Sequence, residues 1–107
     1  MGFKRISKIE LSDSSHSGQS KKVIFYDSEV VSAITQVAYA ELRAGDRIEE
    51  HTHESMEEVI LVLDGECEFT LNGFKYLLTK DDVIKISPKI KHSLVATKLY
   101  YFGVSTL

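Results

Sequence analysis

One cysteine and one proline occur in 107 residues. The lone Cys67 excludes an intramolecular disulfide and suits a reducing compartment. No apolar run approaches the roughly 20 residues that a bilayer-crossing helix needs, and residues 1–8 lack the apolar stretch of a signal peptide. A cytoplasmic location is therefore expected, with no membrane partner. Lysine and arginine number 13 against 16 acidic residues, for a formal net charge of −3. No basic patch of nucleic-acid type is present, so nucleic acid is not an expected partner either. No segment carries a convincing helical period. The length is that of one domain, just sufficient for a single barrel core.

What is present is a succession of short strand-like segments, at 23–26, 32–42, 59–63, 66–71, 74–78, 83–86, 92–96 and 99–104. Even spacing with turn residues between them predicts an all-β fold, an antiparallel sandwich or jelly roll. Residues 1–107 read as one domain. Residues 1–22 form an N-terminal arm, with an alternating Ile6, Ile9, Leu11 segment and a Ser-rich loop at 12–20. Residues 23–107 form the barrel. Asp64-Gly65 and Asn72-Gly73 are strong two-residue hairpin signals. Such turns fix register, pairing Val62 with Cys67, Phe69 with Tyr76 and Leu71 with Phe74. One face then carries Glu58, Ile60, Val62, Cys67, Phe69, Leu71, Phe74 and Tyr76, an apolar interior with one carboxylate. The opposite face carries Val59, Leu61 and Leu63.

The chemistry concentrates in four residues. His51 and His53 lie two apart, so on a strand both imidazoles point to one side. Glu58 lies five further on, which requires a bend that Glu54, Ser55 and Met56 can supply. A buried carboxylate is costly without a partner, so Glu58 needs a cation or a hydrogen-bond donor.

Gly45, five residues, His51-x-His53, four residues, Glu58, six residues and Gly65 resemble the first motif of the cupin superfamily position for position. The second motif normally reads Gly, five residues, Pro-x-Gly, two residues, His. Here the matching positions are Asp81, Ser87, Lys89 and His92, with Pro88 supplying some of the turn's stiffness. The resemblance extends over roughly residues 37–104 and implies a jelly-roll barrel holding one divalent transition metal through His51, His53, Glu58 and His92. Three imidazoles and a carboxylate leave two positions open on an octahedral ion, a set that suits Fe, Mn, Ni, Co or Zn. The open positions and the apolar lining predict a small chelating organic ligand.

Two classes of function stand open. One is a metal-dependent enzyme, an oxygenase, isomerase or lyase; the other is a cupin that binds or senses a small ligand without turnover. No catalytic acid or base is identified, though Tyr39 and Tyr76 are candidates if they face inward. Cys67 reads as a small core residue, and His16 as a loop histidine. Lys85, Lys89 and Lys91 flank His92 and read as a solvated rim able to attract an anion. The outward row Val59, Leu61 and Leu63 calls for a cover, which predicts a homodimer with a contribution from the N-terminal segment.

Overall fold

The computed structural model describes residues 2–13 and 19–107. His16 and most of the Ser-rich loop lie outside the described residues. Eight strands follow in order: β1 (Ser12–Asp13), β2 (Gln19–Tyr26), β3 (Ile34–Leu42), β4 (Arg47–His51), β5 (Glu58–Leu71), β6 (Phe74–Thr79), β7 (Val83–Ile86) and β8 (His92–Thr106). Every pairing is antiparallel. Among the described residues, helix is confined to two 3-10 turns, Ile6–Lys8 and Asp27–Glu29. The all-β jelly-roll expectation holds.

Two long strands make the barrel. The first half of β8 pairs with β4 and with the second half of β5; its second half pairs with β3 and with the first half of β5. β5 and β8 thus pass from one sheet to the other and bend where they cross, as strands that form sandwich corners do. β1 and β2 extend the sheet beyond β3, β7 pairs with the start of β5, and β6 is the outer strand beside its end.

The bend corrects one expectation. Asp64-Gly65 is not a hairpin turn, because β5 runs unbroken through it. Register slips relative to β8 between Val62 and Asp64 and again between Glu66 and Cys67, and Gly65 adopts φ of 80°. A bulge and a two-residue hairpin both reset the alternation of faces. Val62 and Cys67 are therefore both buried, as read, for a different reason. Asn72-Gly73 is the expected hairpin: both residues have positive φ, 50° and 83°, and Leu71 pairs with Phe74 and Phe69 with Tyr76.

That register does not bury β6. Phe74 is 66% and Tyr76 47% exposed, and only Leu78 is buried on this strand. Among the described residues β6 has no strand beyond it, and its inward-parity side chains near the Asn72-Gly73 turn stay exposed. The core lies between the sheets and is built on Leu42, Val62, Phe69, Ile86 and Leu99, with Cys67 among them.

Candidate metal centre

The four candidate ligands arrive from three directions. His51 ends β4 and pairs with His92, the first residue of β8. A register slip between Ile48 and His51 lets both point into the barrel across an odd spacing. His53 lies just past β4, where its carbonyl accepts a 2.7 Å hydrogen bond from the Lys89 N–H. The chain bends at Glu54 and Ser55, within the predicted segment, and Glu58 opens β5 opposite Ile86 and Ser105.

Backbone shape explains how a diverged second motif still delivers His92. Asp81 and Lys89 occupy its glycine positions, and both adopt left-handed backbone, φ 71° and 66°. The Asp81 N–H donates to the Val62 carbonyl at 2.8 Å, and Lys89 is tied to His53 as above. The bonds outweigh a conformation that disfavours side chains with a Cβ.

The donor atoms of His51, His53, Glu58 and His92 all lie within 4.8 Å of one another. Metal bonds of about 2.1 Å place adjacent octahedral donors roughly 3.0 Å apart and opposite ones roughly 4.2 Å apart, so the cluster needs only a small contraction. His51 Nδ1 lies 2.7 Å from the Glu49 carbonyl, and His92 Nδ1 lies 2.9 Å from that of Ile90. A carbonyl only accepts, so each Nδ1 carries the proton and the Nε2 lone pair is left to point inward.

The electrostatics concentrate on Glu58. Its Oε1 is 3.1 Å from His53 Nε2 and 3.7 Å from His92 Nε2. The second distance is a charge contact, too long for a hydrogen bond. His92 is 5% exposed, and its Nε2 has no hydrogen-bond partner. Burial works against the Glu58 carboxylate, but His92, His53 and His51 outweigh it and hold the carboxyl below its ordinary range. Burial also opposes charge on His92, where Glu58 and the Ile90 carbonyl prevail and raise the imidazole. At His53, burial wins, helped by the other two imidazoles, and lowers it.

A cavity of about 40 Å³ opens onto these groups, lined by His51, Glu58 and His92 and by Ile48, Ile60, Phe69, Ile86, Ser93, Leu94 and Tyr101. The Phe69 ring is parallel to His92, centroids 6.4 Å apart. Neither tyrosine singled out from the sequence lines it. Tyr39 lies between inward-facing Ala38 and Ala40, so it faces out, where it stacks on Tyr100 at 6.5 Å; Tyr76 is on the exposed strand. The phenol that does line it is Tyr101, which pairs with the buried Val62 and Ala40. The signal was its even spacing from Leu99 in β8. Lys85, Lys89 and Lys91 are exposed, and none lines the cavity.

Comparison with known proteins bears on this geometry. A family model described as "Cupin domain" matches residues 38–99. Quercetin 2,3-dioxygenase of Bacillus subtilis (strain 168) is 45% identical over 49 residues, which is 46% of this chain and 14% of that protein. The chain thus spans a small part of the curated relative it matches. Among solved structures, a predicted oxalate decarboxylase from Thermotoga maritima superposes with a TM-score of 0.86 at 23% identity, covering 96% of each chain. An RmlC-like cupin from Shewanella frigidimarina gives 0.82 at 18%, covering 99% of this chain and 90% of that one. KdgF from Halomonas sp. gives 0.77 at 19%, covering 94% and 91%. At these identities the structural likenesses establish the fold alone. With the family match spanning more than half of the residues and the barrel reproduced end to end, the chain belongs to the cupin family.

Proposed function

We propose that the protein holds one divalent transition metal ion, Fe, Mn, Ni, Co or Zn, through His51, His53, Glu58 and His92, and uses it to act on a small chelating organic molecule in the barrel. The observation that carries this reading is His92 Nε2, a buried nitrogen with no hydrogen-bond partner aimed at a carboxylate and two further imidazoles. An orphaned buried polar atom is costly in a protein that never fills the site.

When bound, such an ion supplies a Lewis acid with open positions, able to polarise a carbonyl or stabilise an enolate. This chain's own contribution is positional. The Glu49 and Ile90 carbonyls fix two imidazole tautomers, Phe69 packs beside His92, and Ile60, Ile86 and Leu94 keep the cavity apolar. That shell favours turnover, as an oxygenase, isomerase or lyase, over storage, and the local likeness to a dioxygenase agrees. The setting is a cytoplasmic homodimer.

Elemental analysis of protein purified without an affinity tag tests the metal assignment. One ion per chain is expected, and the His51→Ala/His53→Ala double variant should lose it. Full retention by the double variant rejects these ligands. Oxygen consumption or product formation by the Fe(II)-loaded protein, against none, separates enzyme from ligand-binding module.

A further inference from the structure

The sheet formed by β4, the first half of β8, the second half of β5 and β6 carries two cross-strand rows on its inner face. One runs His51, His92, Leu71, Phe74 and the next runs Ile48, Leu94, Phe69, Tyr76. On β4 and β8 the rows supply two candidate metal ligands and two walls of the cavity. On β6 they end in two exposed aromatic rings. Along β6 the inward side chains pass from exposed Phe74 and Tyr76 to buried Leu78. This face therefore opens at the end where His51 and His92 lie and closes away from it.

The opening is held in place. The Asn72 N–H donates to the Lys91 carbonyl at 2.8 Å, which ties the turn before Phe74 to the residue before His92. Leu71, between Phe74 and His92 in the row, packs against the core. Phe69 carries the second row into the cavity, with its ring parallel to His92. Neighbouring strands lie about 4.8 Å apart, so the Phe74 Cα is roughly 10 Å from that of His92. Exposed apolar surface that continues into a binding centre is where the apolar part of a ligand is received.

Charge and shape narrow the occupant. Lys75, Glu68 and Leu77 stand on the opposite face of the sheet, where Lys75 Nζ lies 3.5 Å from Glu68 Oε1. Leu71, Phe74 and Tyr76 carry no charge, so the shelf suits a neutral body. Two rings two residues apart, roughly 7 Å, gain more from an aromatic partner than from an aliphatic one of equal area.

We infer that the molecule chelated at the metal carries an uncharged aromatic body about two rings long, and that this body lies on Leu71, Phe74 and Tyr76. Phe74 sets the preference. The step rests on the metal reading above and adds the class of ligand.

The full chain loaded with Co(II), whose visible spectrum reports the coordination sphere, is titrated with two probes that share one chelating group, acetohydroxamate and 4-phenylbenzohydroxamate. The biphenyl probe is expected to bind at least tenfold more tightly. Phe74→Ala should keep one Co(II) per chain, bind acetohydroxamate as the unaltered chain does and weaken the biphenyl probe about tenfold. Leu77→Ala is the control: Leu77 is as exposed as Phe74, 66%, on the other face of the same strand, and its loss should change neither probe. A preference below twofold in the unaltered chain, a preference that survives Phe74→Ala, or an equal loss in Leu77→Ala overturns the inference. So does a dimer of the unaltered chain that Phe74→Ala dissociates, since a second copy would then cover the shelf. Failure of the unaltered chain to retain Co(II) rejects the metal reading, and the inference with it.

Discussion

Cys67 and Glu58 meet burial with opposite outcomes. Cys67 is 1% exposed with no charge beside it, and burial alone pushes its thiol from 9.0 up to about 11. The thiolate is the reactive form, so the native protein should resist iodoacetamide at pH 8 and react fully once denatured in urea. Labelling of the native protein at the denatured rate would contradict this. A thiol whose folded pKa is raised supports folding below its unfolded value, and that support is lost as pH rises from about 9 to about 11. Urea titrations at pH 8 and pH 10.5 should show a stability loss larger than that of Cys67→Ala, by up to about 2 kcal/mol. Glu58 is kept ionised despite burial because three imidazoles face it, and this difference in company separates a core residue from a site residue. That difference in surroundings was legible in the sequence, since Cys67 stands alone in an apolar alternation and Glu58 stands at a fixed distance from two histidines. The sequence did not distinguish Tyr101 from Tyr39 and Tyr76. Parity decides whether a tyrosine faces inward, and parity in β8 depends on the bulge near Thr97, which no turn residue announces.

At the scale of elements, the bulges account for most of what could not be read. Asp64-Gly65 has hairpin chemistry, yet the strand continues because β8 supplies partners on both sides of it. Long-range pairing overrode a local signal. Asn72-Gly73 behaved as read because no third strand spans that turn. Left-handed positions make the difference measurable. A Cβ on Gly65 would overlap the Lys98 carbonyl oxygen, at a φ that already disfavours side chains, so Gly65→Ala should cost at least about 3 kcal/mol in chemical denaturation. Lys89 holds φ of 66° with an exposed side chain. Lys89→Gly should therefore stabilise by about 1 kcal/mol and leave metal content unchanged. A neutral or negative result there would mean that the lysine makes a compensating contact. The second motif was legible only through His92 and the positions of its missing glycines. What survives at Asp81 and Lys89 is the backbone conformation that glycine usually provides.

At the scale of the whole molecule, one sheet face is left uncovered by the described residues. Register places Phe25, Val37, Val104 and Val59 in one outward row across β2, β3, β8 and β5, and Tyr39, Phe102, Leu61 and Val83 in the next, ending on β7. Among the described residues of the N-terminal arm, the contacts fall at the β2 end, where Lys4 lies over the Phe25 ring at 4.9 Å and pairs with Glu29 at 2.7 Å, and the Ile6 carbonyl accepts from Lys22 at 3.0 Å. The far end stays open, with Val59 38% and Val83 62% exposed. A contiguous aromatic and aliphatic face of this kind is uncommon on a monomer, and two copies related by a two-fold axis would bury it against itself. The face lies outside the barrel, opposite the inward side chains of the metal site, so association and metal binding should separate experimentally. Sedimentation at tens of micromolar, on the order of a common working concentration, is expected to give a dimer. Leu61→Glu puts a charge in the middle of the second row and should give a folded monomer that still holds one metal ion. A clean monomer from the unaltered protein would reject the two-fold contact; a Leu61→Glu dimer would move the contact to another surface, the exposed β6 strand with Phe74, Tyr76 and Leu77 being next in apolar content.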